Sequence, residues 1–238
     1  MASRLSLGDI TVNVIQKDIK NVHLSVLPPR GEVRLSAPLR MSLATIRLFA
    51  IAKLGWIRRQ QRTLREQDRE SAREYLNQES HYVWGRRYLL KVVEDKAAPT
   101  VRLRQGKLEL HVRPGADRDL RESVLADWYR GLLKAAIPPL IAAWEPRLKV
   151  EVGRFYVQQM KTKWGSCNPV TRSIRLNTEL AKKPRSCLEY IVLHEMVHLL
   201  DATHGAKFVG LMDRHMLAWR ESRNQLNRLP VRHEQWGY

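Results

Sequence analysis

The sequence predicts an α+β fold. Strand-like alternation dominates the first half, helical spacing starts abruptly near residue 117, and one apolar helix near residue 190 is broken by three ionisable residues. In residues 9–40, Ile10, Val12, Val14, Val33 and Leu35 alternate with other residues on either side of the turn composition Pro28-Pro29-Arg30-Gly31, which reads as paired strands. A long helix is expected over residues 42–78. Residues 82–93 and 101–112 read as further strands, with turns near Ala98-Pro99 and Gln105-Gly106-Lys107. Residues 1–116 are thus a β-rich N-terminal portion carrying one long basic helix. Pro114-Gly115-Ala116 marks the expected boundary, and residues 117–238 form the second domain. Residues 117–144 place Val124, Leu125, Trp128, Tyr129, Leu132 and Leu133 at helical intervals, and Pro138-Pro139 is expected to split them into two pieces. Strands near 150–159 and 173–177, a helix over 186–200 and a last helix over 208–226 complete the order. No internal repeat or low-complexity tract is evident.

A chain of 238 residues with 44% hydrophobic content can bury a proper core. It has no run of eighteen apolar residues to span a membrane. Met1-Ala2-Ser3-Arg4 leads into a mixed polar stretch, so a cytoplasmic location is expected. Cys167 and Cys187 are too few for a disulfide scaffold and are expected as reduced thiols. The formal net charge of +18 favours anionic partners. Its densest patch lies in the basic helix at 47–73, where Arg47, Lys53, Arg58, Arg59, Arg62, Arg65, Arg69 and Arg73 outnumber Glu66, Asp68 and Glu70. This is either a solvated face laced by i,i+4 pairs or a surface for non-specific nucleic acid. No zinc-finger, RNA-recognition or helix-turn-helix pattern supplies base readout.

Chemistry concentrates in His194-Glu195-Met196-Val197-His198, followed by His204. Histidines four apart project from one helix face, so both rings reach one ion. Glu195 stands beside that ion without being needed as a ligand, the position of a general base for a zinc-activated water. The flanking residues Tyr190, Ile191, Val192, Leu193, Met196, Val197, Leu199 and Leu200 are apolar nearly all round. A structural reading, with core histidines satisfied by backbone, must explain three polar intrusions at once; Zn2+ explains all three. Ser186-Cys187-Leu188-Glu189 matches a capping box. Asp201-Ala202-Thr203-His204-Gly205 reads as the helix exit, with a glycine suited to a left-handed turn. His204 is the favoured third ligand, with His215, Asp201 and Asp213 as alternatives. Three ligands and an open fourth position mark a catalytic site.

Residues 161–227 resemble the bacterial YgjP-like family of zinc-dependent metalloproteases, itself similar to the SprT-like and Wss1-like proteases. The landmarks are Lys161-Thr162-Lys163-Trp164-Gly165-Ser166-Cys167, Ile174-Arg175-Leu176-Asn177, Tyr190-Ile191-Val192-Leu193-His194-Glu195, and His204 with Phe208. Leu229-Pro230-Val231-Arg232-His233-Glu234 looks like that family's ending. The resemblance implies His194, His198 and His204 as ligands, Glu195 as base, and an edge strand within 163–176 beside the metal helix. The His194 to His204 spacing is also that of metzincins, but Asp201 stands where their glycine turns the helix and no methionine turn is evident. Met212 and Met216 fit core packing.

The order of helix, strands, motif helix and final helix is that of a zincin-like catalytic domain, a mixed sheet plus an active-site helix. The expected activity is hydrolysis of peptide bonds in a protein or peptide substrate by a zinc metallopeptidase. His233, Arg232 and His215 are candidates for the oxyanion, and Trp164 for the cleft wall. The competing class is a basic nucleic-acid-binding protein with a structural or vestigial metal site.

Overall fold

The computed structural model describes residues 2–27, 31–66, 73–160 and 163–229. Arg69 of the expected basic helix and both Arg232 and His233 lie outside these residues, as do Pro28, Pro29 and Arg30 of the first expected turn. The chain is an α+β protein whose described residues divide into two compact units near residue 70.

In the first unit, β1 (Ala2–Leu7), β2 (Ile10–Lys17), β3 (His23–Leu27) and β4 (Glu32–Pro38) form a sheet of order β1-β2-β4-β3. The central pair β2 and β4 is parallel and the outer pairs are antiparallel. Alternation puts Val12, Val14, Val33 and Leu35 on the inner face, where they share a core with Ile46, Ala50 and Ile57 of the following helices. Those helices are α1 (Leu43–Ala52) and α2 (Leu54–Glu66). Ser42 caps α1 by accepting from the Thr45 N–H at 3.2 Å.

The single helix expected over 42–78 is therefore two helices, interrupted at Lys53, and residues 73–79 are not helical. The Glu79 carboxylate draws the backbone into a turn instead, accepting from the Glu74 and Tyr75 N–H groups at 2.9 and 2.8 Å. Arg73 is thus off the basic helix, with its guanidinium on Glu79 and the Ser80 carbonyl. Arg58 pairs with Asp9 at 3.0 Å, while Arg59 and Arg62 are exposed.

The second unit begins with β5 (Ser80–Val83), β6 (Arg86–Glu94), β7 (Thr100–Arg104) and β8 (Lys107–Val112). Their order, β5-β6-β8-β7, again has a parallel central pair and antiparallel outer pairs, so the topology of the first sheet recurs without a sequence repeat. The strand expected over 82–93 turns back at Trp84 and Gly85, both at positive φ, making a tight hairpin. The turn at residues 114–116 joins β8 to α3 (Arg118–Leu148) inside this unit, ahead of no break in packing. Leu90, Leu108 and Leu110 of the sheet and Leu133, Ile137 and Trp144 of α3 bury into one core, and the Tyr129 hydroxyl donates to the Tyr82 carbonyl at 2.8 Å.

Helix α3 runs through Pro138 and Pro139 where two pieces were expected. Both prolines lie on its exposed face, where water can satisfy the carbonyls they orphan, while Leu133, Ile137, Ile141, Trp144 and Leu148 keep a buried stripe. After it come β9 (Arg154–Gln158), β10 (Gly165–Asn168) and β11 (Ser173–Asn177), ordered β10-β11-β9 with β10 at the edge. A 3-10 helix (Thr178–Lys182) leads to α4 (Arg185–Val197), α5 (Ala206–His215) and α6 (Trp219–Arg228). The final helix expected over 208–226 is thus two. No helix among the described residues is long and apolar enough to cross a membrane.

Candidate metal centre

Helix α4 is buried on nearly every side, with Leu188, Val192, Leu193, Met196 and Val197 fully enclosed. Its N-terminus is held by the β5–β6 hairpin. The Trp84 and Gly85 N–H groups donate to the Ala181 and Lys182 carbonyls at 2.8 and 3.1 Å, and a Cβ at Gly85 would lie 2.9 Å from Pro184 Cγ. The capping box does not form: Pro184 is the N-cap with no side-chain bond, and Ser186 falls inside the first turn, where its hydroxyl donates to Gln225 Oε1 at 3.4 Å. Proline's fixed φ starts the helix without a capping hydroxyl.

One helical turn apart, His194 and His198 aim at a common point, and α4 stops at His198. The exit is built by Asp201. Its carbonyl accepts from His198 Nδ1 at 2.9 Å, which leaves Nε2 as the ring's lone-pair nitrogen. Its carboxylate accepts from Thr203 N–H and Oγ1 at 3.0 and 2.9 Å, closing a turn that delivers His204. Gly205 was expected in a left-handed turn; it is extended, at φ −78°, and is the N-cap of α5. Asp201 does the turning that glycine does elsewhere.

The three imidazoles converge. Nε2 of His204 lies 3.1 Å from Nε2 of both His194 and His198. Tetrahedral ligands at about 2.05 Å from one zinc ion stand roughly 3.3 Å apart, so this spacing fits a single small ion. Phe208 of α5 is the shared apolar floor, its ring centroid 4.9, 4.8 and 4.8 Å from those of His194, His198 and His204. Tyr190 packs edge-on to His194 at 5.7 Å and stacks on Trp219 of α6 at 6.2 Å. Burial pushes the His194 imidazole down to about 3, helped by His198 and His204, and burial likewise lowers His204. Both rings are neutral near pH 7, the form that donates to a metal.

Glu195 is 4% exposed, and among the described residues its carboxyl has no hydrogen-bond partner. Burial pushes it up to about 8, with Lys163 opposing. A neighbouring cation is the counter-charge that returns such a group to its anion. Gly165, first residue of the edge strand β10, is what lets the carboxyl lie there: a Cβ would stand 2.6 Å from Glu195 Oε1 and 2.8 Å from its Cγ. Between β10, α4 and α6 opens a cleft of about 420 Å³, lined by Lys163, Trp164, Gly165, Ser166 and Cys167 on the strand side and Arg223, Leu226 and Asn227 on α6.

The expected residues divide sharply. His194, Glu195, His198, His204 and Trp164 meet at the cleft. His215 does not line it; its ring meets Trp144 edge-on at 6.5 Å. Asp213 accepts from Trp219 Nε1 at 2.7 Å and pairs with Arg220, outside the cluster of three imidazoles. Asp201 shapes the loop without joining the cluster. Sequence reasoning did not single out Arg223, and it quoted Gly165 only within a longer landmark without a role of its own.

A mixed α+β fold holding these three imidazoles beside a buried carboxylate and an open strand edge has the make-up of a metallopeptidase. A family model described as YgjP-like, metallopeptidase domain, matches residues 20–229, and the chain belongs to that family. Among solved structures, the metallopeptidase zymogen jannalysin of Methanocaldococcus jannaschii is 24% identical with a TM-score of 0.34, over 38% of this chain and 92% of that one. The metallopeptidase zymogen abylysin of Pyrococcus abyssi is 16% identical with a TM-score of 0.36, over 40% and 99%. No curated protein matches the chain significantly.

Proposed function

We propose that the chain is a zinc-dependent peptidase of zincin-like architecture, with the ion held by His194, His198 and His204 and with Glu195 as general base. The observation that carries this is the convergence of three imidazole Nε2 atoms within 3.1 Å steps, next to a buried carboxyl that has no protein partner among the described residues. All three ligands are nitrogen donors, two of them held neutral by burial, which suits zinc rather than calcium or magnesium. When bound, the ion supplies Lewis acidity, polarising a substrate carbonyl and drawing the pKa of a water toward neutrality.

The chain's own residues supply the rest. Glu195 takes the proton of the attacking water on a carboxylate oxygen and returns it to the departing amine. His198 is oriented by the Asp201 carbonyl, so its Nε2 needs no reorganisation. Among the described residues β10 is an edge strand, and an extended substrate adding there as a further strand lays a peptide bond across the cleft at Glu195. Trp164, half-buried, walls that end of the cleft.

The test compares the purified chain with Glu195→Gln for bound zinc and for cleavage of unfolded protein substrates. Zinc retained with cleavage lost by a factor of 10² or more is expected; equal cleavage by both proteins refutes the assignment. The net charge of +18 and the exposed Arg59 and Arg62 on α2 support a second role in which such a peptidase works close to nucleic acid. That role requires affinity for DNA or RNA that falls steeply between 50 and 200 mM salt, and salt-independent or absent binding rules it out.

A further inference from the structure

The cleft has a one-sided charge. Among the described residues Glu195 is the one carboxylate that lines it, whereas Lys163 and Arg223 line it on opposite walls. Arg223 lies on α6 between Trp219, which stacks on Tyr190 of α4, and Leu226, which is buried, so the stretch of helix that carries it is packed against α4. Arg223 and Asn227 share one face of the helix and both border the cleft.

Several arginines of this unit pair with carboxylates, Arg220 with Asp213, Arg118 with Asp119 and Glu122, and Arg172 with Glu151; what sets Arg223 apart is that it borders the cleft. Arg223 is exposed, and among the described residues it makes no hydrogen bond, ion pair or ring contact. It lines the same cleft as His194, Glu195 and His204. A lone cation there disfavours any positive ion at the imidazoles, so neither the fold nor the metal is served by its charge. A guanidinium presents a planar fork of donors that matches a carboxylate two bonds at a time. Among the described residues no carboxylate takes up that fork, which leaves it to a group entering the cleft.

We propose that Arg223 is a specificity-determining residue that binds a carboxylate of the substrate next to the scissile bond. This rests on the peptidase reading above. The carboxylate is an Asp or Glu side chain or the free end of a chain; the chemistry at Arg223 is the same, and the experiment separates the two. Lys163 on the opposite wall adds to the same preference through its field, and a substrate with Lys or Arg at that position is disfavoured.

The experiment uses the full chain carrying Glu195→Gln, zinc-loaded, with fluorescein-labelled peptides read by anisotropy. One peptide has an internal Glu and an amidated end, a second has Gln in its place, a third has Gln and a free terminal carboxylate, and a fourth has Lys. Acidic peptides should bind roughly tenfold tighter than the Gln amide, a ratio equivalent to about 1.4 kcal/mol. Adding Arg223→Gln should bring that ratio close to one, and Arg223→Glu should invert it in favour of the Lys peptide. Preference for the second carboxylate source over the first identifies the chain terminus as the group bound. The same ratio is read as kcat/KM with Glu195 intact. A ratio untouched by Arg223→Gln, equal losses for all four peptides, or no charge dependence in either readout overturns the proposal. If the chain with Glu195 intact cleaves nothing, the peptidase reading fails while the affinity ratio still decides Arg223. If cleavage occurs with no charge dependence, Arg223 alone fails.

Discussion

Gly165→Ala is a one-carbon perturbation aimed at Glu195, the proposed general base. The added Cβ would stand 2.6, 2.8 and 2.9 Å from Oε1, Cγ and Cδ of Glu195, whereas ordinary van der Waals contact begins near 3.4 Å. Three contacts on one side chain cannot be relieved by swinging its tip alone, and α4 is too enclosed to recede. The carboxyl must shift by roughly 1 Å or leave its rotamer, and a misplacement of that size costs about 10²-fold in rate. Gly165 needs no left-handed backbone, so alanine itself is tolerated there, and the loss of chain entropy in the unfolded state favours it by about 0.4–1 kcal/mol. The expected result is a folded, zinc-loaded protein with kcat/KM down by about two orders of magnitude. The assay pairs peptide cleavage with zinc stoichiometry and a thermal melt. Gly165→Ala with activity within a factor of two or three of the parent and zinc bound would falsify the placement of Glu195 as base.

His204→Ala removes the third imidazole and should abolish stoichiometric zinc after dialysis, whereas His215→Ala should keep it; the reverse pattern, read by metal analysis, means the ligand set is wrong. Phe208→Ala empties the floor beneath the three rings and should cost about 3–5 kcal/mol of stability, with weaker zinc binding; an unchanged denaturation midpoint contradicts that packing. Asp213 is held below the usual carboxylate range by its bonds from Arg220 and then Trp219. A depressed folded pKa means stabilisation present above the ordinary Asp pKa and lost as pH falls through the lowered one, so the melting difference between the parent and Asp213→Asn should be full at pH 6 and shrink on acidification below roughly pH 4. A difference that grows on acidification contradicts the sign.

The helix α4 was legible because its signal is local: His194, Glu195 and His198 interrupt an apolar surface at the period of one helical turn, and His204 lies within reach of a short loop. The strands were legible wherever one face is buried, as at Val12, Val14, Val33 and Leu35. What escaped depends on neighbours distant in sequence. Pro138 and Pro139 look like breakers until their face is known to be solvent-exposed. Ser186 looks like a cap until Pro184 takes the position. The turn at residues 114–116 looks like a domain boundary because periodicity changes there, yet α3 packs on the strands before it, and packing defines a unit where periodicity does not. Gly165 and Arg223 have no signature of their own, since a cleft wall exists only once β10 and α6 have both met α4.

The hairpin turn at Trp84 and Gly85 and the imidazole cluster close over very different lengths of chain. Its bonds to Ala181 and Lys182 span almost a hundred residues of chain, a closure that is slow and entropically costly. His194, His198 and His204 need no such closure, because a helical turn and the Asp201 loop bring them together. The imidazole cluster is thus a feature of local chain, and β10 with Gly165 reaches α4 from only some thirty residues away, whereas the seat of α4 on the β5–β6 hairpin depends on the distant half of the unit.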